Sequence, residues 1–202
     1  MTFDIGEKNL ENYELLIEKL GLTPIQDLGG SCIVYKVLSD KNFRIMKLGY
    51  KDKNDGWDYQ HVNRENEVLN CITGVNNISQ KIKTYSSDNK RSFLSKLFNP
   101  SSQDIVYIAL LKEYIEGTEL KENRISSTRQ QIALIEAVKA VHEAGYARLD
   151  ITPRNIIITA NCDPYIIDLG HAQTKKELQK NTAYNFQKRT YQDFYDLEEL
   201  FI

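Results

Sequence analysis

Asp150, Asn155 and Asp168 share one stretch, RLDITPRNIIITANCDPYIIDLGHA. Within it IIIT and YIID are apolar and β-branched, and NCDP between them reads as a turn, so a hairpin is predicted. A carboxylate and an amide then precede its first strand, and a second carboxylate follows its second strand. Three oxygen donors brought together in this way suit a hard cation such as Mg²⁺. Glu65 lies three residues after Val62 and four before Leu69, on the apolar face of a helix, where an inward carboxylate must find a cation or shift its pKa. Lys47 in FRIMKLG is flanked by Met46 and Leu48 and points to the other side of its strand. Held by Glu65, its ammonium would be offered to phosphate oxygens; the plainer alternative is a surface ion pair of little energetic worth. In LGGSCIVYKV, Gly29 and Gly30 would let backbone N–H groups approach a phosphate, a simple hairpin turn being the alternative. Cys32 follows, with no histidine or other activating base near it in sequence.

The elements that must carry these groups can be read from periodicity. ENYELLIEKLG predicts an amphipathic helix with Leu10, Tyr13, Ile17 and Leu20 on one face and Gly21 ending it. TPIQDLGG, IVYKVLS and FRIMKLG predict an antiparallel meander with turns at GGSC and DKN. DYQHVNRENEVLNCI is helical, with Tyr59, Val62, Leu69 and Ile72 in one stripe. The polar insertion at 86–104 carries Phe93, Leu94, Leu97 and Phe98, a greasy helical turn that would dock a partner or fold back on its own domain. IVYIALLKEYIEG is a strand that breaks at Glu116 and Gly117. SSTRQQIALIEAVKAVHEAG predicts a helix with a Ser127/Gln130 capping box, a face of Ile132, Ile135, Val138 and Val141, and a stop at Gly145. A charged segment, 175–189, leads to a last helix with Phe194, Leu197 and Phe201 on one face.

The 202 residues suffice for one domain or two small lobes sharing a cleft, and 41% apolar with 27% charged residues is ordinary for a soluble globular chain. A net charge of -2 creates no global field favouring nucleic acid or membrane, and no apolar run approaches a membrane span. Cys32, Cys71 and Cys162 are scattered singly, as are His61, His142 and His171, which argues against a disulfide framework or a zinc site. The N-terminal residues do not form a secretory signal. A cytoplasmic, reduced setting is therefore expected.

Taken in order, the glycine turn, Lys47, Glu65, Asp150, Asn155 and Asp168 resemble the protein-kinase fold. LGGSCIVYKV looks like its glycine loop, IMK its nucleotide lysine and RENEVL its helix with the pairing glutamate; LDITPRN is similar to its catalytic loop and IIDLG to its metal motif. The resemblance runs from about Ile25 to Phe201. It implies an α+β, bilobal architecture: a β-rich N-lobe at 1–113 and a minimal, mainly helical C-lobe at 114–202. It also implies ATP and Mg²⁺ as cofactors. Asp150 would orient the acceptor hydroxyl and take its proton, while Asn155 and Asp168 hold the metal. Lys47, fixed by Glu65, would bind the α- and β-phosphates. Gly29, Gly30, Ser31, Cys32 and Val34 would surround the nucleotide, with Glu113 and Ile115 at the adenine connector.

Certain departures narrow the resemblance. GGSC is shorter than GxGxxG and looks more like the loop of aminoglycoside and choline phosphotransferases. Arg148-Leu149-Asp150 stands where protein kinases carry His-Arg-Asp, so no arginine directly precedes Asp150, and Thr152 stands where many Ser/Thr kinases have lysine. RENEVL and DFYDLEELF are similar to helices of the small atypical kinases of the piD/KEOPS type that act in tRNA threonylcarbamoylation. That likeness makes Asp193 a buried brace for the catalytic-loop backbone. The expected activity is an atypical serine/threonine protein kinase. The alternatives are an ATPase or regulatory subunit of a complex and a small-molecule phosphotransferase. A protein substrate or partner would meet the insertion at 86–104 or the basic segment 175–189, whose Lys175, Lys176, Lys180, Lys188 and Arg189 face a single Glu177. A solvated face is the plainer reading of that segment, with an acidic peptide or RNA as the alternative occupant, and no membrane role is expected.

Overall fold

A computed structural model describes residues 10–29, 32–51, 56–86, 106–120, 125–179 and 185–202. They group into two compact units, one of residues up to Asn63 together with Ile82–Tyr114, the other of Arg64–Lys81 together with Ile115–Ile202. The insertion at 86–104 lies, but for Ser86, outside the described residues.

The first unit begins with α1 (Leu10–Lys19), which stops at Gly21, a residue with φ +79° that is cheap only for glycine. Strands β1 (Thr23–Asp27), β2 (Ile33–Ser39) and β3 (Asn42–Lys51) form the expected meander. Ser39 pairs with Asn42, so Asp40 and Lys41 alone make the turn, both with positive φ, as a twist-matched two-residue hairpin requires. The helix α2 (Trp57–Cys71) follows, then β4 (Lys81–Ser86) and β5 (Val106–Glu113), giving the sheet order β1-β2-β3-β5-β4. Tyr13, Leu16 and Ile17 of α1 pack on Tyr35, Val37, Met46, Leu48, Ala109 and Leu111, which share one sheet face. The other face carries Val34, Lys47 and Leu110 in register across three strands, with Ile45 beside Lys112.

The division between the units falls inside α2, whereas the expected boundary at 113/114 kept that whole helix with the sheet. Long-range contacts account for it: Arg64 pairs with Glu177, and the Cys71 thiol lies 3.8 Å from the Tyr146 hydroxyl, so the later turns of α2 belong with the second unit.

That unit contains β6 (Thr118–Glu119), α3 (Thr128–Glu143), β7 (Tyr146–Ala147), β8 (Ile156–Ile158), β9 (Pro164–Ile166), β10 (Gln173–Thr174), α4 (Lys175–Gln179) and α5 (Phe186–Glu198). The predicted hairpin is β8–β9, extended on one side by β6, while β10 pairs with β7. Along β9, Ile166 takes the Asn77 carbonyl as its N–H acceptor and gives its own carbonyl to the Ser79 N–H.

Two expectations about α3 are corrected. Ser127 is its N-cap but makes no side-chain cap bond, and the Gln130 side-chain amide donates to the Cys162 carbonyl at 2.7 Å, tying the helix start to the β8–β9 turn. The buried face is Leu134, Ala137, Val138 and Val141; Ile132 is 50% exposed and Ile135 39%. Positions 134, 137, 138 and 141 follow the same helical spacing as the expected set, rotated by part of a turn. The charged stretch at 175–189, read as a solvated face, contains α4 and the start of α5, and most of its described residues are exposed. The last helix is therefore longer than its apolar pattern predicts, ending at Glu198, with Phe201 bridging to Ile125 beyond it. The result is an α+β chain with a sheet-rich N-terminal part.

Candidate active site

The loop after β7 is built on two non-glycine residues in left-handed backbone, Arg148 at φ +64° and Asp150 at φ +54°. Each conformation costs on the order of 1 kcal/mol and persists only where surrounding groups impose it. Asp193 imposes it here. Buried to 3% exposure on α5, it accepts the Arg148 N–H on Oδ2 at 2.8 Å and the Leu149 N–H on Oδ1 at 2.9 Å. His142 of α3 also meets Oδ2, through Nε2 at 2.8 Å, with its ring edge-on to Phe194. A carboxylate only accepts, so this contact places the imidazole proton on Nε2. Asp193 thus ties α3 and α5 to the backbone from which Asp150 projects.

Asn155 closes the loop from the other side. Pro153 starts a 3₁₀ turn, Pro153–Asn155, with its φ already suited to that position, and Asn155 N–H bonds back to the Thr152 carbonyl. The Asn155 amide then donates to the Asp150 carbonyl at 2.9 Å and to Asp150 Oδ2 at 3.1 Å. Only the NH₂ end can face two acceptors, so Oδ1 of Asn155 is turned away from Asp150. Arg154 approaches the same carboxylate at 3.6 Å but is 73% exposed, and such a pair contributes little.

The hairpin register connects this loop to Asp168. Ile156 pairs with Ile166, and the Ile167 N–H donates to the Asn155 carbonyl at 3.0 Å. Asn155 and the Ile167–Asp168 step therefore lie at the same end of the two strands. Asp168 Oδ1 accepts the Gly170 N–H at 2.9 Å, a tight turn that fixes the carboxylate directly after the strand.

Glu65 is 1% exposed on the face of α2 that also buries Val62, Leu69 and Ile72. Lys47 is 5% exposed on β3, between Val34 of β2 and Leu110 of β5. Cys32 is buried just before β2, Val34 is half-buried, and Glu113 and Ile115 are half-buried at and beyond the end of β5. Gly29 has φ +65° and donates its N–H to Asp27 Oδ1 at 2.8 Å. Gly30 and Ser31 lie outside the described residues. Two features escaped the sequence reading. Lys112 is buried on the same sheet face as Lys47, and its signal was a single lysine closing an otherwise apolar strand. His142 carries no local sequence signal, because its partner is 51 residues away.

For a hard cation the donor chemistry fits. The Asn155 amide oxygen and the Asp168 carboxylate offer the oxygen donors a hard cation takes; among the described residues no group of three or more His, Cys, Asp or Glu could hold a metal ion by itself. Two protein oxygens completed by phosphate and water is the usual manner of Mg²⁺, in contrast to a closed protein cage.

This fold and loop geometry have a counterpart among known families: residues 27–193 match the family model of the protein kinase domain. The chain belongs to that family. A mitogen-activated protein kinase of Schizosaccharomyces pombe is 28% identical over 116 residues, covering 54% of this chain and 31% of the relative. A protein of Encephalitozoon cuniculi named a probable serine/threonine-protein kinase is 30% identical over 160 residues, covering 77% and 46%. Extracellular signal-regulated kinase 2 of Dictyostelium discoideum is 26% identical over 178 residues, covering 87% and 44%. The chain thus spans between about a third and a half of the length of these relatives. Among the described residues no helix is long and apolar enough to cross a membrane.

Proposed function

We propose that the chain is an ATP- and Mg²⁺-dependent serine/threonine protein kinase that moves the γ-phosphate of ATP to a protein hydroxyl. The observation that carries this reading is the double constraint on Asp150, with Asp193 gripping the backbone before it and Asn155 its carbonyl and carboxylate. A carboxylate so oriented can hold an acceptor hydroxyl in line and take its proton as the oxygen attacks phosphorus. The proton rests on Asp150 and the phosphoryl group leaves ADP for the hydroxyl oxygen. Asn155 and Asp168 would hold the metal, which neutralises charge on the phosphates when bound. The family pattern assigns Lys47 to the α- and β-phosphates, Glu65 to holding its ammonium, and Gly29 through Val34, Glu113 and Ile115 to the nucleotide. Phosphoryl transfer asks mainly for positioning and charge stabilisation, which this set provides.

Within the family we place the chain with the small atypical kinases, on Arg148-Leu149-Asp150 and Thr152 at the catalytic loop. Its curated relatives are protein kinases, which favours a protein over a small-molecule acceptor. Cytoplasmic action belongs to the same reading. The test is transfer from radiolabelled ATP to the protein itself or to a generic protein acceptor. Asp150→Ala is expected to lower the rate by about 10²–10⁴-fold with an unchanged melting temperature. A variant that still transfers phosphate at the original rate removes Asp150 from its role.

A further inference from the structure

Arg64 precedes Glu65 on α2, and its guanidinium is held by two carboxylates. Nη1 donates to Glu67 Oε2 at 2.7 Å, and Nη2 donates to Glu177 Oε1. Glu177 is nine positions beyond Asp168 and lies in the first turn of α4. Its other oxygen is equally occupied. Oε2 accepts the Thr174 N–H at 2.7 Å and the Thr174 hydroxyl at 2.8 Å, while the Glu177 N–H donates back to Thr174 Oγ1 at 3.2 Å. This is a reciprocal capping box, so the carboxylate that meets Arg64 is itself locked to the start of a helix. Thr174 in turn sits opposite Tyr146 in the β10–β7 pair, and the Tyr146 hydroxyl lies beside the Cys71 thiol at the end of α2.

These contacts close a ring. It runs from α2 at Arg64 to α4 at Glu177, through Thr174 to Tyr146 on β7, and back to α2 at Cys71. Glu65 stands on one arc, and the segment leading out of Asp168 forms another. The strand that enters the Arg148–Asp150 loop is a third. Arg64 and Glu177 are 21% and 42% exposed, and a lone pair at such exposure adds little to stability. Its effect is on geometry, because each partner is held by further bonds and the fork of the guanidinium admits few orientations.

We propose that the Arg64–Glu177 pair is a built-in clamp that positions Glu65 and Asp168 for phosphoryl transfer, so that the segment after Asp168 works without being phosphorylated. The proposal rests on the kinase reading above. It also accords with Leu149, and not an arginine, standing directly before Asp150. Arg64 and Glu177 are positioning residues; neither is assigned a contact with the substrate.

The test compares wild type, Arg64→Gln, Glu177→Gln and Arg64→Lys, all treated with a broad-specificity phosphatase. Dephosphorylated wild type is expected to keep its full rate. Each Gln variant should lose about ten- to a hundredfold in kcat, the range in which small misplacements act, with the acceptor KM and the melting temperature unchanged. Arg64→Lys, which restores the charge but not the fork that spans Glu67 and Glu177, should recover only a minor part of that loss. Amide hydrogen exchange should rise together at 64–71 and 174–179 in both Gln variants. A wild-type protein that loses its rate on dephosphorylation and regains it on rephosphorylation overturns the proposal, as does a Gln variant with unaltered exchange at both segments. If wild type transfers no phosphate at all, the kinase reading fails on its own, and the exchange data still decide whether the pair couples the two segments.

Discussion

Asp193 concentrates more consequence in one side chain than any other residue described. Its two oxygens take the N–H groups of Arg148 and Leu149 and the Nε2 of His142, all within a buried setting. Removing them leaves buried donors unsatisfied and frees a backbone held in left-handed conformations. Asp193→Ala should therefore destabilise the fold by about 3–5 kcal/mol, read by urea denaturation, with transfer activity lost as well. Asp193→Asn keeps one acceptor oxygen but turns an NH₂ toward a donor, and is expected to cost about half as much. The likeness of DFYDLEELF to a kinase helix implied Asp193 as a buried brace for the catalytic-loop backbone, whereas the spacing of that helix by itself named only Phe194, Leu197 and Phe201 as its inward face. His142 as a further partner was legible in neither. Nothing local connects residue 193 with residues 142, 148 and 149, because these bonds exist only once α3, β7 and α5 have packed.

At the scale of elements, glycine separates what local patterning decides from what packing decides. Gly117 precedes β6, and a Cβ there would collide with the Ile158 carbonyl and the Ile157 side chain of β8, the strand that follows Asn155. Gly117→Ala is expected to destabilise the protein by about 1–3 kcal/mol and to lower activity more than its stability loss alone implies, since the displaced strand carries Asn155. Thermal unfolding beside a transfer assay separates the two effects. Capping teaches the same lesson from two sides. Ser127 and Gln130 have the spacing of a capping box, yet Gln130 is drawn to the Cys162 carbonyl. Thr174 and Glu177 have the same spacing in TKKE, passed over inside a charged run, and they do form the box. A capping motif is a local preference worth about 1 kcal/mol, small enough for a tertiary partner to override.

For the molecule as a whole, buried tyrosines set an alkaline limit. Burial first, and then the neighbouring Cys71, pushes the Tyr146 hydroxyl up to about 12, and burial likewise raises Tyr13 and Tyr35. An unfolded tyrosine ionises near about 10. The stability these groups contribute is thus complete below that pH and declines as pH rises from there through the folded values. Urea midpoints measured from neutral pH upward should fall most steeply in that window, and Tyr146→Phe should flatten the fall. A fall of equal steepness in that variant would remove Tyr146 from the account. The sequence alone determined the order of elements, the β8–β9 hairpin, the inward faces of α1 and α2 and the polar residues at the hairpin's ends. Hydrophobic period and turn chemistry are local properties, written within a few residues. Tertiary structure decided which side of α3 is buried and why α2 divides between the two units. It also decided which distant groups hold Arg148 through Asp150 and what Arg64 grasps. Each of these depends on chain segments tens of residues apart, whose attraction is felt only after the backbone has brought them together.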